Sequence, residues 1–175
     1  MSSSYLLEGE ETERLYFRKV LPSDFDAWLP FHQDKRSSQY WYGLPQDPKT
    51  ACTQQFEGIF ERYQKNTGGM NALISKQTNE LVGLCGLLLQ KVDDEMLWEI
   101  GYSILPQYWQ QGYATEAATA CKIYATQKQL AQELISIIAI KNIPSIKVAE
   151  KNGMKLRKTT LYKGNLVGIY SIHLI

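Results

Sequence analysis

Hydrophobic positions along this chain switch between a two-residue period and a three-to-four-residue period, and the switches mark its elements. Thr12 to Val20, TERLYFRKV, alternates as an opening strand with Leu15 and Phe17 on one face, preceded by a polar Met1 to Glu11 that reads as frayed at its start. Ser23 or Asp24 then offers an oxygen to the N–H groups of a helix whose apolar set is Phe25, Trp28, Leu29 and Phe31. Asp34 to Lys49 is rich in turn residues. Thr50 to Asn66 returns to helical spacing with Cys52, Phe56, Ile59, Phe60 and Tyr63, is weakened by Gly58, and closes at Thr67-Gly68-Gly69.

Three strand-like runs follow, Met70 to Ser75, Leu81 to Gln90 and Met96 to Leu105, separated by the polar turns Lys76 to Glu80 and Val92 to Glu95. Gly83 and Gly86 mark a bulge, the close approach of another group, or packing sites beneath helices. Pro106 breaks the third run, and Ala114 to Lys128 is good helix-forming sequence. Leu134 to Ile140, LISIIAI, is continuously apolar, as expected of a strand covered on both faces. Ile143 to Asn152 is a further helix ended by Gly153, and Leu156 to Tyr162 with Leu166 to Ile175 makes a closing hairpin around Lys163-Gly164-Asn165. No repeat or linker interrupts this order, and 175 residues at 44% hydrophobic predict one domain, residues 1–175, with a sizeable core.

Charge narrows the function. Nineteen Lys and Arg against eighteen Asp and Glu leave +1, with no basic run to track nucleic acid. Cys52, Cys85 and Cys121 are odd in number, widely spaced and set in apolar or helical surroundings, so they read as free buried thiols in a reducing compartment. Neither His32 nor His173 has a second candidate ligand near it in sequence, so no metal site is expected. The start lacks a basic region followed by an apolar core, and no apolar run has membrane-spanning length, so a cytoplasmic protein without membrane contact is expected.

The candidate chemistry lies where the third strand breaks. Between Ile104 and the helix, Gln110-Gln111-Gly112-Tyr113-Ala114-Thr115 has the makings of an anion cradle: Gly112 can take a positive φ, Ala114 permits close approach, and successive N–H groups can converge on an oxyanion such as a diphosphate. An ordinary strand-to-helix turn is the alternative. Tyr40, Trp41 and Tyr42 stand together in the long loop, either over an acceptor pocket or as an anchor for that loop.

The run GYSILPQYWQQGYATEA resembles motif A of the GNAT acyltransferases, whose six-residue loop cradles the diphosphate of acetyl-coenzyme A and here falls on Trp109, Gln110, Gln111, Gly112, Tyr113 and Ala114. Trp109 departs from the usual glutamine or arginine and, followed by GYATEA, is similar to the RimJ/RimL type of ribosomal-protein N-terminal acetyltransferase. It also removes a side-chain cation from that position, leaving backbone amides and the helix dipole to meet the phosphates. A second stretch, IKNIPSIKVAEKNGMKL, resembles the family's Asn-x-x-Ser-x-x-Val-x-Glu-Lys-x-Gly-Phe segment, with Asn142, Ser145, Val148, Glu150, Lys151 and Gly153 in register and Met154 replacing phenylalanine.

The resemblance implies a mixed α+β fold, a mostly antiparallel twisted sheet of roughly six to seven strands, splayed between the fourth and fifth and flanked by about four helices. It implies direct acetyl transfer from acetyl-coenzyme A to an amine in a ternary complex, the exposed backbone of Ile104 pairing with the pantetheine arm. An ammonium cannot attack a thioester, so a base is needed, and a donor for the departing thiolate. Glu99, in a WEIGY context, is the candidate base, sharing a face with Leu97, Gly101 and Ser103 opposite Trp98, Ile100 and Tyr102. A carboxylate among apolar neighbours should have a raised pKa; the alternative is a structural carboxylate holding an amide or arginine. Ser145 is the candidate acid or a hydrogen-bond partner of the thiol or a helix cap, with Tyr102 and Tyr124 as other donors; Asn142 either meets cofactor amides or ends a strand.

Relatives in this branch acetylate ribosomal-protein α-amines but also polyamines, amino acids and antibiotics, so the acceptor is a protein N-terminus or a small amine. Monomer and homodimer are both compatible, the last hairpin being able to pair across a dimer. A catalytically silent acetyl-coenzyme A module, and a binder of another nucleotide or phosphorylated metabolite, are the competing readings.

Overall fold

A computed structural model describes residues 5–174; the outermost part of the tail expected to fray, residues 1–4, and the expected end of the last strand, Ile175, lie outside the described residues. The elements run β1 (Leu15–Lys19), α1 (Phe25–Gln33), α2 (Pro48–Lys65), β2 (Gly68–Ser75), β3 (Leu81–Val92), β4 (Glu95–Ile104), α3 (Tyr113–Gln127), β5 (Glu133–Ala139), α4 (Ile143–Lys151), β6 (Lys155–Tyr162) and β7 (Asn165–His173). They build one seven-stranded sheet in the order β1-β2-β3-β4-β5-β7-β6. Neighbouring strands are antiparallel except β4 and β5, which run parallel. This is the mixed α/β architecture the motifs implied, with four helices and the parallel junction between the fourth and fifth strands.

Strand alternation divides the core between two faces. Ala117, Cys121 and Ala149 from α3 and α4 pack with Ile100, Ile104 and Leu134 on one side. Trp28 and Phe31 of α1 and Phe56 and Ile59 of α2 pack with Ala72, Ile74 and Leu84 on the other. Val92, Ile135, Val167 and Ile169 form a smaller cluster with Leu97 and Tyr162. The three cysteines are free and buried. Gly86 proves to be a site of close approach: a Cβ there would lie 2.0 Å from the Gly69 carbonyl oxygen of β2. A bulge sits nearby, where the β2–β3 register shifts between Leu73 and Ile74 opposite Gly83.

Three expectations are corrected. The chain from Tyr5 is not frayed: Leu6 and Leu7 are buried, and Tyr5 stacks on Trp98 with ring centroids 4.3 Å apart. Burying a leucine as fully as Leu7 stabilises by about 2 kcal/mol, which holds the segment against fraying. β1 starts at Leu15 rather than Thr12, because the Thr12 hydroxyl and the Arg14 N–H both go to the Glu116 carboxylate of α3. Pro22–Asp24 forms a 3-10 turn, and no side chain caps α1. Asp24 instead accepts from Arg18 Nη1 and Nη2 at 2.7 and 2.8 Å and from the Leu21 N–H at 2.8 Å.

Burial pushes the Asp24 carboxyl upward, but Arg18 and the Leu21 amide outweigh it and hold the group below the usual carboxylate range. Asp24→Asn is expected to cost about 2 kcal/mol in urea unfolding at neutral pH. Because the folded-state pKa is depressed, this contribution is present above the ordinary carboxylate pKa and is lost as pH falls through the lowered one, so variant and parent converge in acid.

Candidate active site

β4 and β5 pair only at Trp98–Leu134 and Glu99–Ile135, and beyond those residues the parallel ladder stops. Two side chains close the root of the gap. Ser136 Oγ donates to the Ile100 carbonyl at 2.8 Å, and Glu99 Oε2 accepts from the Ile137 N–H at 3.1 Å. Since Leu105 N–H donates to Val82 of β3, alternation turns the main chain of Ile104 and Tyr102 toward the gap. The Ile104 carbonyl already accepts from Trp109 Nε1 at 2.7 Å, leaving its N–H as the Ile104 main-chain group turned to the gap. That indole bond gives Trp109 a local task.

After the 3-10 turn Pro106–Tyr108, Gln110 and Gly112 both take left-handed φ, 63° and 82°, and the chain enters α3 at Tyr113. An Asp47 side chain caps α2 and an Asn142 side chain caps α4, but no side chain caps α3. The first helical bond is Glu116 N–H to the Gly112 carbonyl, so the N–H groups of Tyr113, Ala114 and Thr115 precede the helical ladder and face outward at its positive end. Gln111 Nε2 donates to the Gln107 carbonyl at 3.4 Å. The donors left at the start of α3 are therefore main-chain amides.

Two cations that periodicity could not reveal lie beside it. Arg14 stacks over Tyr113, 4.2 Å from the ring centroid, donates through Nε to Glu116 at 2.7 Å, and brings Nη2 to 3.4 Å from where a Cβ on Gly112 would sit. Arg36, from the α1–α2 connection, lies 5.4 Å over the Trp109 ring. The only sequence mark of the Arg14 pairing is Glu116 in the first turn of a helix, and nothing near it in sequence identifies a partner 102 residues away.

Glu99 points away from Trp98, Ile100 and Tyr102, as alternation predicted, and its second oxygen accepts from Gln90 Nε2 at 3.1 Å. Burial pushes its carboxyl above the ordinary glutamate value, opposed by the bonds from Gln90 and Ile137 and by the charges of Arg62 and Lys163. Across the gap, Asn142 Oδ1 accepts from the Ser145 N–H at 3.3 Å, so the residue that caps α4 is Asn142 and not Ser145, for which that role was weighed. The Tyr102 hydroxyl donates to the Ser145 carbonyl at 2.7 Å, joining β4 to α4, and burial pushes its pKa far upward so that it stays protonated. Tyr124 stands elsewhere, lining a groove of about 530 Å³ with Glu10, Glu11 and Thr119. In the aromatic loop, Trp41 packs on Phe31 as an anchor, Tyr42 is exposed, and the Tyr40 carbonyl accepts from Asn165 Nδ2 of the closing hairpin at 3.1 Å. Among the described residues no helix is long and apolar enough to cross a membrane.

Comparison with known proteins agrees with this geometry. The family model described as acetyltransferase (GNAT) domain matches residues 14–155. An uncharacterized N-acetyltransferase p20 of Bacillus licheniformis is 26% identical over 175 residues, covering 97% of each chain. The uncharacterized protein YkkB of Bacillus subtilis is 36% identical over 95 residues, and the match spans only 55% of its length and 54% of this chain. An acetyltransferase from Agrobacterium tumefaciens superposes with TM-score 0.79 at 24% identity, covering 97% of this chain and 96% of that one. RimL, a ribosomal L7/L12 α-N-protein acetyltransferase solved in complex with coenzyme A, superposes with TM-score 0.73 at 16% identity over 95% of this chain and 97% of its own. With the family model spanning most of its length and its fourth and fifth strands parting ahead of the α3 amides, the chain belongs to the GNAT family and is an acetyl-coenzyme A-dependent acetyltransferase.

Proposed function

We propose that the protein acetylates a primary amine, either the α-amine of a protein N-terminus or a small amine, by direct transfer in a ternary complex. The whole chain is read as one such domain acting in the cytoplasm. The observation that carries the reading is the juxtaposition of uncapped amides at Tyr113–Thr115 with a gap whose root holds the Glu99 carboxylate. Acetyl-coenzyme A supplies the acetyl group as a thioester. The amides from Gln111 to Thr115 hold its diphosphate, with Gln110 and Gly112 setting their direction, and the Ile104 N–H and the Asn142 amide nitrogen receive the arm.

Glu99 takes the proton that an ammonium must lose before it can attack, and its raised pKa suits that task near neutrality. Ser145 hands a proton to the departing sulfur, with its main chain fixed by Tyr102 and Asn142. The charges beside Glu99, Arg62 and Lys163, are positive, which favours a peptide α-amine over a polycation such as a polyamine. The RimJ/RimL-like motif supports the same choice.

The test is amine-dependent release of free coenzyme A, screened against peptides beginning with Ala or Ser, polyamines and aminoglycosides. Turnover with the peptides is expected; turnover confined to polyamines or aminoglycosides would overturn the choice of a peptide acceptor. Both Glu99 oxygens also accept structural bonds, which favours a structural carboxylate as the competing role for this residue. For the cofactor end, Arg14→Met is expected to raise KM for acetyl-coenzyme A about fivefold with little change in kcat, the loss of one partly exposed charge near a phosphate. Steady-state kinetics at varied acetyl-coenzyme A checks it.

A further inference from the structure

Gln90, near the end of β3, lies outside the cradle and behind the carboxylate at the root of the gap, and three hydrogen bonds fix which way its amide points. Its Oε1 accepts from Arg62 Nη2 at 2.9 Å and from the Tyr162 hydroxyl at 3.0 Å. A guanidinium has no acceptor to offer, so the amide oxygen is committed to that side and the NH2 must face Glu99, where Nε2 donates to Oε1 at 3.1 Å. A flipped amide would set NH2 against the guanidinium and its oxygen against a carboxylate. Arg62 is itself anchored, its Nη1 donating to the Thr67 and Leu89 carbonyls at 3.1 and 3.0 Å. Elements α2, β3 and β6 thus converge on one carboxylate of β4, whose other oxygen takes the Ile137 N–H of β5.

We infer that Gln90 is a positioning residue for amine deprotonation: clamped by Arg62 and Tyr162, its amide holds the Glu99 carboxylate in one orientation. The inference rests on the proposal that Glu99 is the base. The charged and titratable groups bearing on Glu99 are Arg62 from α2, Lys163 from the β6–β7 turn, and the Tyr102 and Tyr162 phenols, both kept neutral by burial. Burial drives the Glu99 carboxyl upward, and the Gln90 bond is foremost among the influences drawing it back.

The experiment is the pH dependence of kcat/KM for a peptide amine, whose acidic limb reports the free enzyme's base. Gln90→Met keeps the length of the side chain and removes the donor. Its acidic limb is expected to move upward by about half a pH unit, equal to about threefold lower kcat/KM on that limb, with acetyl-coenzyme A affinity unchanged. Tyr162→Phe, which removes one of the two partners of Oε1, should move the limb less in the same direction, and the double variant no further than Gln90→Met alone. A limb that coincides with the parent's, or moves down, in Gln90→Met overturns the inference. If that variant does not fold, an unmoved limb in Tyr162→Phe does so. Glu99→Gln run alongside separates the two claims: full turnover removes the base and this role together, whereas lost turnover with an unmoved Gln90→Met limb removes only the role of Gln90.

Discussion

Gly112→Val is expected to weaken acetyl-coenzyme A binding by about a hundredfold or more while leaving the fold in place. Gly112 holds φ 82°, and a β-branched residue there is strained by about 1–2 kcal/mol, so the turn is expected to shift to negative φ. The shift turns aside the N–H groups that the proposed function assigns to the diphosphate. Each hydrogen bond to a charged group contributes about 1.5–3 kcal/mol, so losing two of them accounts for the hundredfold figure. Crowding in the unliganded protein is not the cause, since the Cβ would meet only the flexible Arg14 Nη2 at 3.4 Å. Calorimetric titration checks the affinity and thermal unfolding checks the fold. Gly112→Ala, which tolerates positive φ better than valine, should fall between parent and Gly112→Val.

Glu99→Gln is expected to lower kcat by about a hundredfold to a thousandfold with acetyl-coenzyme A affinity unchanged. The substitution also has a structural cost that must be kept apart from the catalytic one. Glu99 accepts from Gln90 Nε2 and from the Ile137 N–H, whereas a glutamine has one oxygen and one NH2 group, so one of those donors meets another donor. A buried donor left unsatisfied costs about 1–3 kcal/mol of stability. A fall in melting temperature is therefore expected on either reading of this residue. Only the base predicts that folded, cofactor-binding protein turns over far more slowly, and single-turnover kinetics on saturated enzyme measures that directly.

Contacts that repeat with a regular period were legible in the residues, and contacts made at a distance were not. Leu134 to Ile140 announced β5 because a strand buried on both faces needs an unbroken apolar run, and Gly112 announced the left-handed turn before α3 because few residues take its φ. The helix and strand positions followed from such periods, with ends displaced by one to three residues where caps and turns decide them. Tyr5-Leu6-Leu7 is too short to carry a period; Tyr5 stacks on Trp98, far along the chain, and Leu7 joins the core built by distant strands. Thr12 alternates like a strand residue and loses that role to Glu116, 104 positions away. Asp24 has the residue type of a helix cap, but Arg18 offers it two charged donors, a stronger interaction than one backbone amide. The Arg62–Gln90–Glu99 chain joins residues 28 and 9 apart on different elements, and hydrogen bonds of that kind leave no pattern in a single sequence.

The most direct test is a crystal structure with acetyl-coenzyme A bound. Its diphosphate oxygens should lie within hydrogen-bonding distance of the amides between Gln111 and Thr115, with the pantetheine arm between β4 and β5 against the Ile104 N–H. A complex in which acetyl-coenzyme A binds elsewhere and leaves that turn empty would contradict the account.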